Sequence, residues 1–374
     1  MSNDSNPILD LVDAKRKRAE TKSLDISLNE LADMYTSNEL IIRPEFQRMF
    51  RWSEEKQSQF IESLLLEMPI PAIFVIEVAE GQWELIDGLQ RLSTYLHYRG
   101  ELDASELDPP IKLGDKLTLE SCEILEGLDG TTYDELPLAL QIRLKRSFLR
   151  VETIRQETDP HFRYYMFKRL NTGGELLSDQ EVRNCTIRLL GEKFNSFLIK
   201  CSEDANFKIA VSKLSKDKRL RMQDVELVLR FFAFKNNFQE FTHDIAPFLT
   251  DYMERVTDTN KDDHIEFDYE TEKNDFEKVF RILGATLGEN TCLRWLGSKY
   301  GGQFSNHQFE AITLGLGKVI GDIPTEDEPW DEIGAKLDGI KKDEAFQDMT
   351  TGGGQNSPGK YRAKIEFVSK GLTE

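Results

Sequence analysis

The fold is decided by ten residues in which a strand turns directly into a helix, Trp83-Glu84-Leu85-Ile86-Asp87-Gly88-Leu89-Gln90-Arg91-Leu92. Apolar residues lead into Asp87, which we expect at the end of a strand. Gly88 follows at the turn, because glycine adopts backbone angles that a Cβ would obstruct and lets a ligand approach closely. The residues from Leu92 to His97 are typical of a helix, so the stretch predicts a strand, a tight turn and a helix start.

This arrangement suits an anion, although an ordinary structural interpretation exists beside it. The first amides of a helix lack internal partners and lie at the positive end of its dipole, so they suit a phosphate. Asp87 could hold a metal ion or orient a water, and Arg91 offers a charged fork for phosphate oxygens. Asp-Gly is also a common turn signal, and Asp is a common helix cap. From these residues alone, the structural interpretation is favoured.

Composition indicates a soluble globular protein. The chain has 374 residues, of which 39% are hydrophobic and 31% are charged, and no apolar run is long enough to span a membrane. Its first residues are polar and show no signal region, so we expect a cytoplasmic protein. The cysteines are scattered without a CxxC pair, which suggests neither a zinc site nor a disulfide framework; they are Cys122, Cys185, Cys201 and Cys292.

The net charge of −19 argues against general coating of DNA by the protein surface. Binding that ignores sequence depends on neutralising phosphates with cations. Local basic clusters exist at residues 15–18, 143–150 and 213–221. Such clusters are more often solvated faces than binding sites, and a local basic groove stays possible.

Outward from the central stretch, the pattern alternates between helices and strands. Ser27 and Ser53 are expected to cap helices, and the spacing of apolar residues between 60 and 65 places one face of the second helix in the core. Residues 73–78 and 83–86 form a predicted hairpin. Residues 148–154 read as a third core strand, after an irregular acidic insertion at 101–135.

Further along, residues 161–170 predict a helix that ends at a Gly-Gly loop, and a capping box at Ser178 opens another helix. From residue 191 onward only helical patterns are found. We therefore predict an α+β protein with a flexible basic lead at 1–22, a small mixed-sheet domain at 23–190 and a helical domain at 191–374.

Three motifs, in this order and spacing, resemble the N-terminal domain of GmrSD-type (type IV) restriction endonucleases, which is related to the ParB and sulfiredoxin-like superfamily. The resemblance covers roughly residues 25 to 235. The motifs are Pro44-x-x-Gln47-Arg48 followed by Trp52, Asp87-Gly88-x-Gln90-Arg91, and Phe167-Lys168-Arg169-Leu170-Asn171-Thr172-Gly173-Gly174. Leu89 stands where the family has the first Gln of an Asp-Gly-Gln-Gln-Arg signature, which puts a polar role at that position in doubt.

The resemblance implies a ParB-like domain that binds and hydrolyses a nucleotide in defence against foreign DNA. The catalytic residues that it implies are Asp87, Gln90 and Arg91. The nucleotide-binding residues that it implies are Gln47, Arg48, Gly88, Asn171 and Gly174. Asp87 would also be the ligand of Mg²⁺ or another divalent metal that accompanies a nucleoside triphosphate.

Each of these roles has a structural alternative. Arg48 and Arg91 would bind phosphates, or they would bridge strand ends to acids. Asp87 would hold the metal or the attacking water, or it would cap a helix. The glutamines would bond ligand or water, or they would be surface residues. Asn171 would close the site, or it would end a helix in a left-handed conformation.

Three functions are compatible with these observations. The first is an NTP-hydrolysing component of a restriction or anti-phage system. The second is a non-catalytic sensor of modified DNA, of a phage protein or of a partner protein. The third is a ParB-like DNA nickase. Family members commonly carry a C-terminal His-Asn-His nuclease, whereas the one histidine near this C-terminus, His307, lacks paired metal-ligand spacing. We therefore expect a nucleotide, DNA and a partner nuclease or other defence protein as partners, and no membrane.

Overall fold

The computed structural model divides into two compact units, residues 1–176 and 177–374. The residues that it describes are 21–43, 50–105, 107, 109–155, 164, 166, 169, 178–323, 330–352 and 356–374. The predicted α+β class is confirmed, with a mixed sheet followed by a mostly helical region. The boundary between residues 190 and 191, where we expect the nucleotide-binding domain to end, stays a prediction.

The first unit is built on a five-stranded mixed sheet with the order β1-β5-β3-β4-β2. The strands are β1 (Thr21–Ser27), β2 (Leu40–Ile41), β3 (Ile73–Ala79), β4 (Gln82–Asp87) and β5 (Phe148–Ile154). β3 and β4 form the predicted antiparallel hairpin, β5 runs parallel to β3, and β1 pairs antiparallel to β5. The register sets Phe74 opposite Asp87, so β4 ends where β3 begins.

Four described helices accompany this sheet, and the starts of the first three follow the sequence signals. They are α1 (Leu28–Thr36), α2 (Glu54–Leu65), α3 (Leu89–Arg99) and α4 (Leu138–Arg146). Ser27 and Ser53 accept hydrogen bonds from the amides three residues later, as predicted. The predicted core face of α2 is buried, and α2 packs on α3. The cap and the apolar stripe therefore fix both the start and the rotation of α2.

The predicted irregular insertion is attached to the core through Glu62. This carboxylate lies on α2 and is almost fully buried. It accepts backbone N–H groups from Glu123 at 3.3 Å, Ile124 at 2.7 Å and Leu125 at 2.5 Å. Backbone amides in a segment without a regular ladder need other partners, and here they find them in this side chain. The hydrogen bonds of Glu62 thus attach the insertion to α2 in place of a backbone ladder.

The second unit is helical around one almost fully buried helix. Its helices are α5 (Asp179–Thr186), α6 (Lys193–Ser202), α7 (Ala205–Ala210), α8 (Lys216–Leu220), α9 (Gln223–Asn237), α10 (Ile245–Thr257), α11 (Tyr269–Ala285), α12 (Asn306–Val319), α13 (Asp331–Lys342), α14 (Glu344–Thr350) and α15 (Pro358–Thr373). α9 is the buried helix, and it packs against α6, α10 and α12. Among the described residues, no helix is both long and apolar enough to cross a membrane.

A buried charge network crosses the core of the second unit. Glu310 of α12 accepts from Arg230 of α9 at 2.7 Å and from Lys364 of α15 at 2.9 Å. Burial alone would raise the pKa of Glu310, but the charges of Lys364 and Arg230 and a hydrogen bond from His307 outweigh it and hold that pKa far below its usual range. Glu310 is therefore ionised and balances two buried cations.

Two details of the structure were not expected from the sequence. The predicted flexible lead reached residue 22, but Thr21 and Lys22 already belong to β1. The region after 191 is not purely helical, because β6 (Arg294–Trp295) and β7 (Tyr300–Gly301) form a small hairpin. β1 is a half-exposed edge strand, and β6 and β7 have two residues each. β1 alternates only at Leu24 and Ile26, and β6 and β7 are too short to alternate, so the pattern from which strands are recognised is weak or missing.

We expect Glu62→Ala to destabilise the insertion by about 1.5–3 kcal/mol, the scale for loss of hydrogen bonds to a charged acceptor. Amide hydrogen exchange at residues 123–125 should accelerate, and the rest of the sheet should change less. Glu126→Ala, an exposed glutamate of the same insertion, is the matched control and should alter exchange little. Unchanged protection in the Glu62 variant would show that other contacts hold the segment.

We expect Glu310→Gln to lower the free energy of unfolding of the helical unit by about 3–5 kcal/mol, because buried Lys364 loses its carboxylate partner while Arg230 keeps Glu226. The measurement is urea unfolding followed by circular dichroism. Glu332→Gln, at an exposed pair with Lys336, is the control and should change stability by less than about 1 kcal/mol.

The pH dependence of unfolding tests the same carboxylate. A lowered folded-state pKa stabilises the protein above the unfolded value of about 4.3, and this contribution is lost as the pH falls below it. Wild type should therefore lose stability between about pH 5 and pH 3 more steeply than Glu310→Gln. Parallel curves for the two proteins would contradict the ionised state of Glu310.

Candidate functional site

Asp87 lies at the carboxyl end of β4, as the sequence predicted. Leu85 and Ile86, the residues before it, are buried and fix this end of the strand in the core. The side chain of Asp87 stays partly exposed at the sheet edge. The strand therefore presents a carboxylate to solvent from a rigid position.

Gly88 makes the turn between β4 and α3 without an intervening loop residue. Its φ of +100° is in the left-handed region, which favours glycine. A Cβ at this position would lie 2.2 Å from Cγ2 of Ile73 on β3, so the space is also closed to a side chain. Gly88 is therefore required by both conformation and packing.

Arg91 lies in the first turn of α3 and is held by two acceptors. Its Nη2 donates to Oδ2 of Asp87 at 2.8 Å and to the carbonyl oxygen of Ala72 at 3.2 Å. Its Nε is buried and has no hydrogen-bond partner among the described residues. The structure thus contains the ion pair of the structural alternative, and it also leaves one guanidinium N–H donor unsatisfied.

The start of α3 adds backbone N–H donors, with their partial positive charge, to the cation of Arg91. Its N-cap residue is Gly88, which provides no side-chain acceptor for the first amides. The positive end of the helix dipole therefore coincides with the guanidinium of Arg91. Leu89, which replaces a glutamine of the family signature, is buried, and this position carries an apolar contact instead of a polar role.

Gln90 holds the backbone of a neighbouring segment. Its Oε1 accepts the backbone N–H of Arg51 at 3.0 Å and that of Trp52 at 3.1 Å. Trp52 also packs its ring near Phe60 of α2, at 5.7 Å between centroids. The side-chain oxygen of Gln90 is thereby committed to positioning this segment, and its catalytic role stays a prediction.

Two residues that the sequence did not single out extend this connection. Gln57 of α2 donates through Nε2 to the carbonyl of Trp52 at 2.9 Å, so its Oε1 is an acceptor. Nδ1 of His97 lies 3.0 Å from that oxygen and must carry the proton. Burial lowers the pKa of His97, which keeps the ring neutral. A Gln at the first turn of a capped helix was the one signal that could have indicated Gln57.

The other predicted binding residues cannot be placed beside this site. Gln47, Arg48, Asn171 and Gly174 lie outside the described residues. The convergence of the three motifs on one cleft therefore stays a prediction. Asp87, Gly88, Gln90 and Arg91 are brought together within one turn of chain.

The fit of a divalent metal depends on how many ligands the protein must supply. In the described part of the chain, no group of three His, Cys, Asp or Glu side chains is arranged to hold a metal ion. Mg²⁺ commonly uses one or two carboxylates together with substrate phosphates and water. Asp87 fits that limited role only when a phosphorylated ligand supplies further oxygens.

Comparison with protein families finds a match for the region that contains the mixed sheet. Residues 28–188 match the profile described as GmrSD restriction endonuclease, N-terminal domain. Comparison with curated proteins and with solved structures gives no match. The matched residues contain α1 to α5, the whole of β2 to β5 and the turn at Gly88. Residues 28–188 therefore carry a domain that matches the N-terminal domain of GmrSD restriction endonucleases, which links this part of the chain to restriction systems that act on DNA.

Proposed function

We propose that this domain binds a nucleoside triphosphate at the start of α3 and hydrolyses it, as part of a prokaryotic restriction or anti-phage system that acts on foreign or modified DNA. The observation that supports the proposal is the Nε of Arg91, a charged donor that is buried and has no hydrogen-bond partner in the described part of the chain. Leaving such a donor unsatisfied is costly. A phosphate oxygen is a suitable acceptor for it.

The surroundings of Arg91 preorganise its side chain to bind a phosphate. The carboxylate of Asp87 and the carbonyl of Ala72 both hold Nη2, which restricts the rotamers of a long side chain. Less conformational entropy is then lost when a ligand binds. The uncapped first turn of α3 would contribute backbone N–H groups to the same anion.

Hydrolysis would assign a second role to Asp87. Bound Mg²⁺ would neutralise charge on the transferred phosphoryl group, and Asp87 would be its protein ligand or would orient the attacking water. Gln90 would act as a positioning residue through Arg51 and Trp52. Arg48 precedes Arg51 by three residues, so the bonds of Gln90 anchor the end of the segment that carries the first motif.

A non-catalytic switch is the second candidate function, and one observation favours it. Asp87 already pairs with Arg91 at 2.8 Å, and a carboxylate held by a guanidinium is a weaker metal ligand. In this case the pocket would bind a nucleotide or a modified base without turnover. A partner nuclease or another defence protein would then read the bound state.

We expect Arg91→Ala to abolish nucleotide binding and Asp87→Asn to preserve binding but reduce turnover by about 100-fold or more, the scale for loss of one electrostatic group in a site. Equilibrium binding of a fluorescent ATP or GTP analogue measures the first effect. Phosphate release with Mg²⁺, in the presence and absence of DNA, measures the second.

The control is the Asp25–Arg150 pair, which joins β1 to β5 in the same unit and is exposed. Asp25→Asn and Arg150→Ala should leave binding and turnover unchanged. Binding without phosphate release in the wild type would support the switch instead of the enzyme. Wild-type binding that survives Arg91→Ala would remove the site.

We expect Gln90→Leu to raise KM more than it lowers kcat, because the residue positions the segment at 51–52 instead of touching the reacting atoms. Gln90→Glu keeps an oxygen acceptor for both amides and should recover most of the affinity. Steady-state kinetics with varied nucleotide separates the two parameters. A fall in kcat alone, without rescue by Glu, would indicate direct participation of Gln90 in the chemical step.

A further inference from the structure

The first unit contains an apolar groove between the end of α2 and the end of α4. Its volume is about 580 Å³. The apolar residues along its walls are Leu64, Met68, Ile70, Ala139, Ile142 and Phe148. A groove of this size accepts several side chains of another molecule.

The large apolar residues in and beside the groove are unusually exposed. Phe148 is 67% exposed and Leu138, one helical turn before Ile142, is 70% exposed. Together with Met68 and Ile142 they make up four of the nine large hydrophobic residues that are exposed in the described part of the chain. Scattered apolar residues need no explanation, whereas a cluster of this kind marks an interaction surface.

The charge around the groove is positive in a chain of net charge −19. Arg143 and Arg146 line it, and Lys145 lies between them on α4. Among the described lining residues, the one acid is Glu67, whose carboxylate is 3.9 Å from Arg143. This long and exposed pair contributes little. Arg146 makes no ion pair with any residue that the structure describes. The rim therefore favours an acidic occupant.

We propose that this groove binds an acidic segment of another protein that presents apolar side chains on one face. Aromatic residues, Met and Arg are enriched in protein interfaces, and this groove offers Phe148, Met68 and two arginines. An amphipathic helix in a groove is a recurrent mode of peptide recognition. A nucleic acid would use the cations and could stack on Phe148, but it would leave Met68, Leu138 and Ile142 without apolar partners.

The position of the groove connects it to the sheet edge that carries the candidate site. Phe148 begins β5, and Ile70 precedes β3, which runs parallel to β5. β4 ends at this same edge, at Asp87. The carbonyl that holds Arg91 belongs to Ala72, two residues after Ile70. A protein docked at Ile70 would thus lie two residues along the chain from the carbonyl that holds Arg91. Docking itself does not depend on nucleotide binding or turnover.

The test uses the full chain and a synthetic probe. The probe is a fluorescein-labelled helical peptide of about 18 residues, since shorter isolated helices are marginal. It carries leucine along one face and glutamate elsewhere. Fluorescence anisotropy should show saturable binding to the wild type. A peptide with lysine in place of glutamate should bind at least about tenfold more weakly, because its positive charges are repelled by the basic rim of the groove.

Two substitutions in the groove and two matched controls locate the binding. Ile142→Asp and Arg146→Glu should each weaken the acidic peptide by about tenfold or more, as for interface residues that dominate binding. Ile209→Asp changes an isoleucine of similar exposure, 43% against 39%. Arg281→Glu reverses an exposed arginine of α11. Both controls should bind like the wild type. Circular dichroism of all four variants checks that they fold.

Three outcomes would overturn the proposal. The first is no saturable binding of the acidic peptide to the wild type. The second is equal loss of binding in the groove variants and the controls. The third is tighter binding of a labelled twenty-nucleotide oligo-dT than of the peptide, with loss in Ile142→Asp and Arg146→Glu, which would make the groove a nucleic-acid surface. Since no nucleotide is added, failure here leaves the proposed nucleotide site untouched.

Discussion

The close packing of Gly88 against Ile73 is the constraint on which the candidate site depends. A single residue joins β4 to α3. It must be glycine, because no Cβ fits between it and Ile73. Asp87 then ends the strand while Gln90 and Arg91 occupy the first turn of the helix. A longer connection would separate these side chains. The geometry of the site is therefore set by backbone packing, before any ligand is considered.

The two ion-pair systems of this protein have different physical consequences. The Asp87–Arg91 pair is partly exposed, and pairs of this kind contribute little to stability, so stability does not explain it. The network around Glu310 is buried, and breaking it leaves charges in a medium that solvates them poorly. The first arrangement keeps charged groups near the surface. The second holds three helices in register.

The sequence predicted the parts of the fold that depend on local signals. The caps at Ser27 and Ser53, the hairpin and the turn at Gly88 each depend on residues close together in the chain, and they are confirmed. β1 depends on pairing with β5, more than a hundred residues later, and local pattern cannot reveal such a partner. Within the site, Asp87 and Arg91 were expected from chemistry. The bonds of Gln90 to the amides of Arg51 and Trp52 depend on tertiary contact, so the sequence could suggest a polar role but not its partner.

The acidity of the chain is compatible with anion binding when the cation is fixed and shielded. At physiological salt, exposed charges are screened over about 8 Å, so the net charge of −19 repels a phosphate mainly at long range. Arg91 acts at contact distance and is mostly buried, where screening is weaker. An acidic surface also disfavours indiscriminate DNA coating. Selective anion binding here therefore requires cations placed by the fold, and the turn at Gly88 and the end of α4 are two positions where the fold places them.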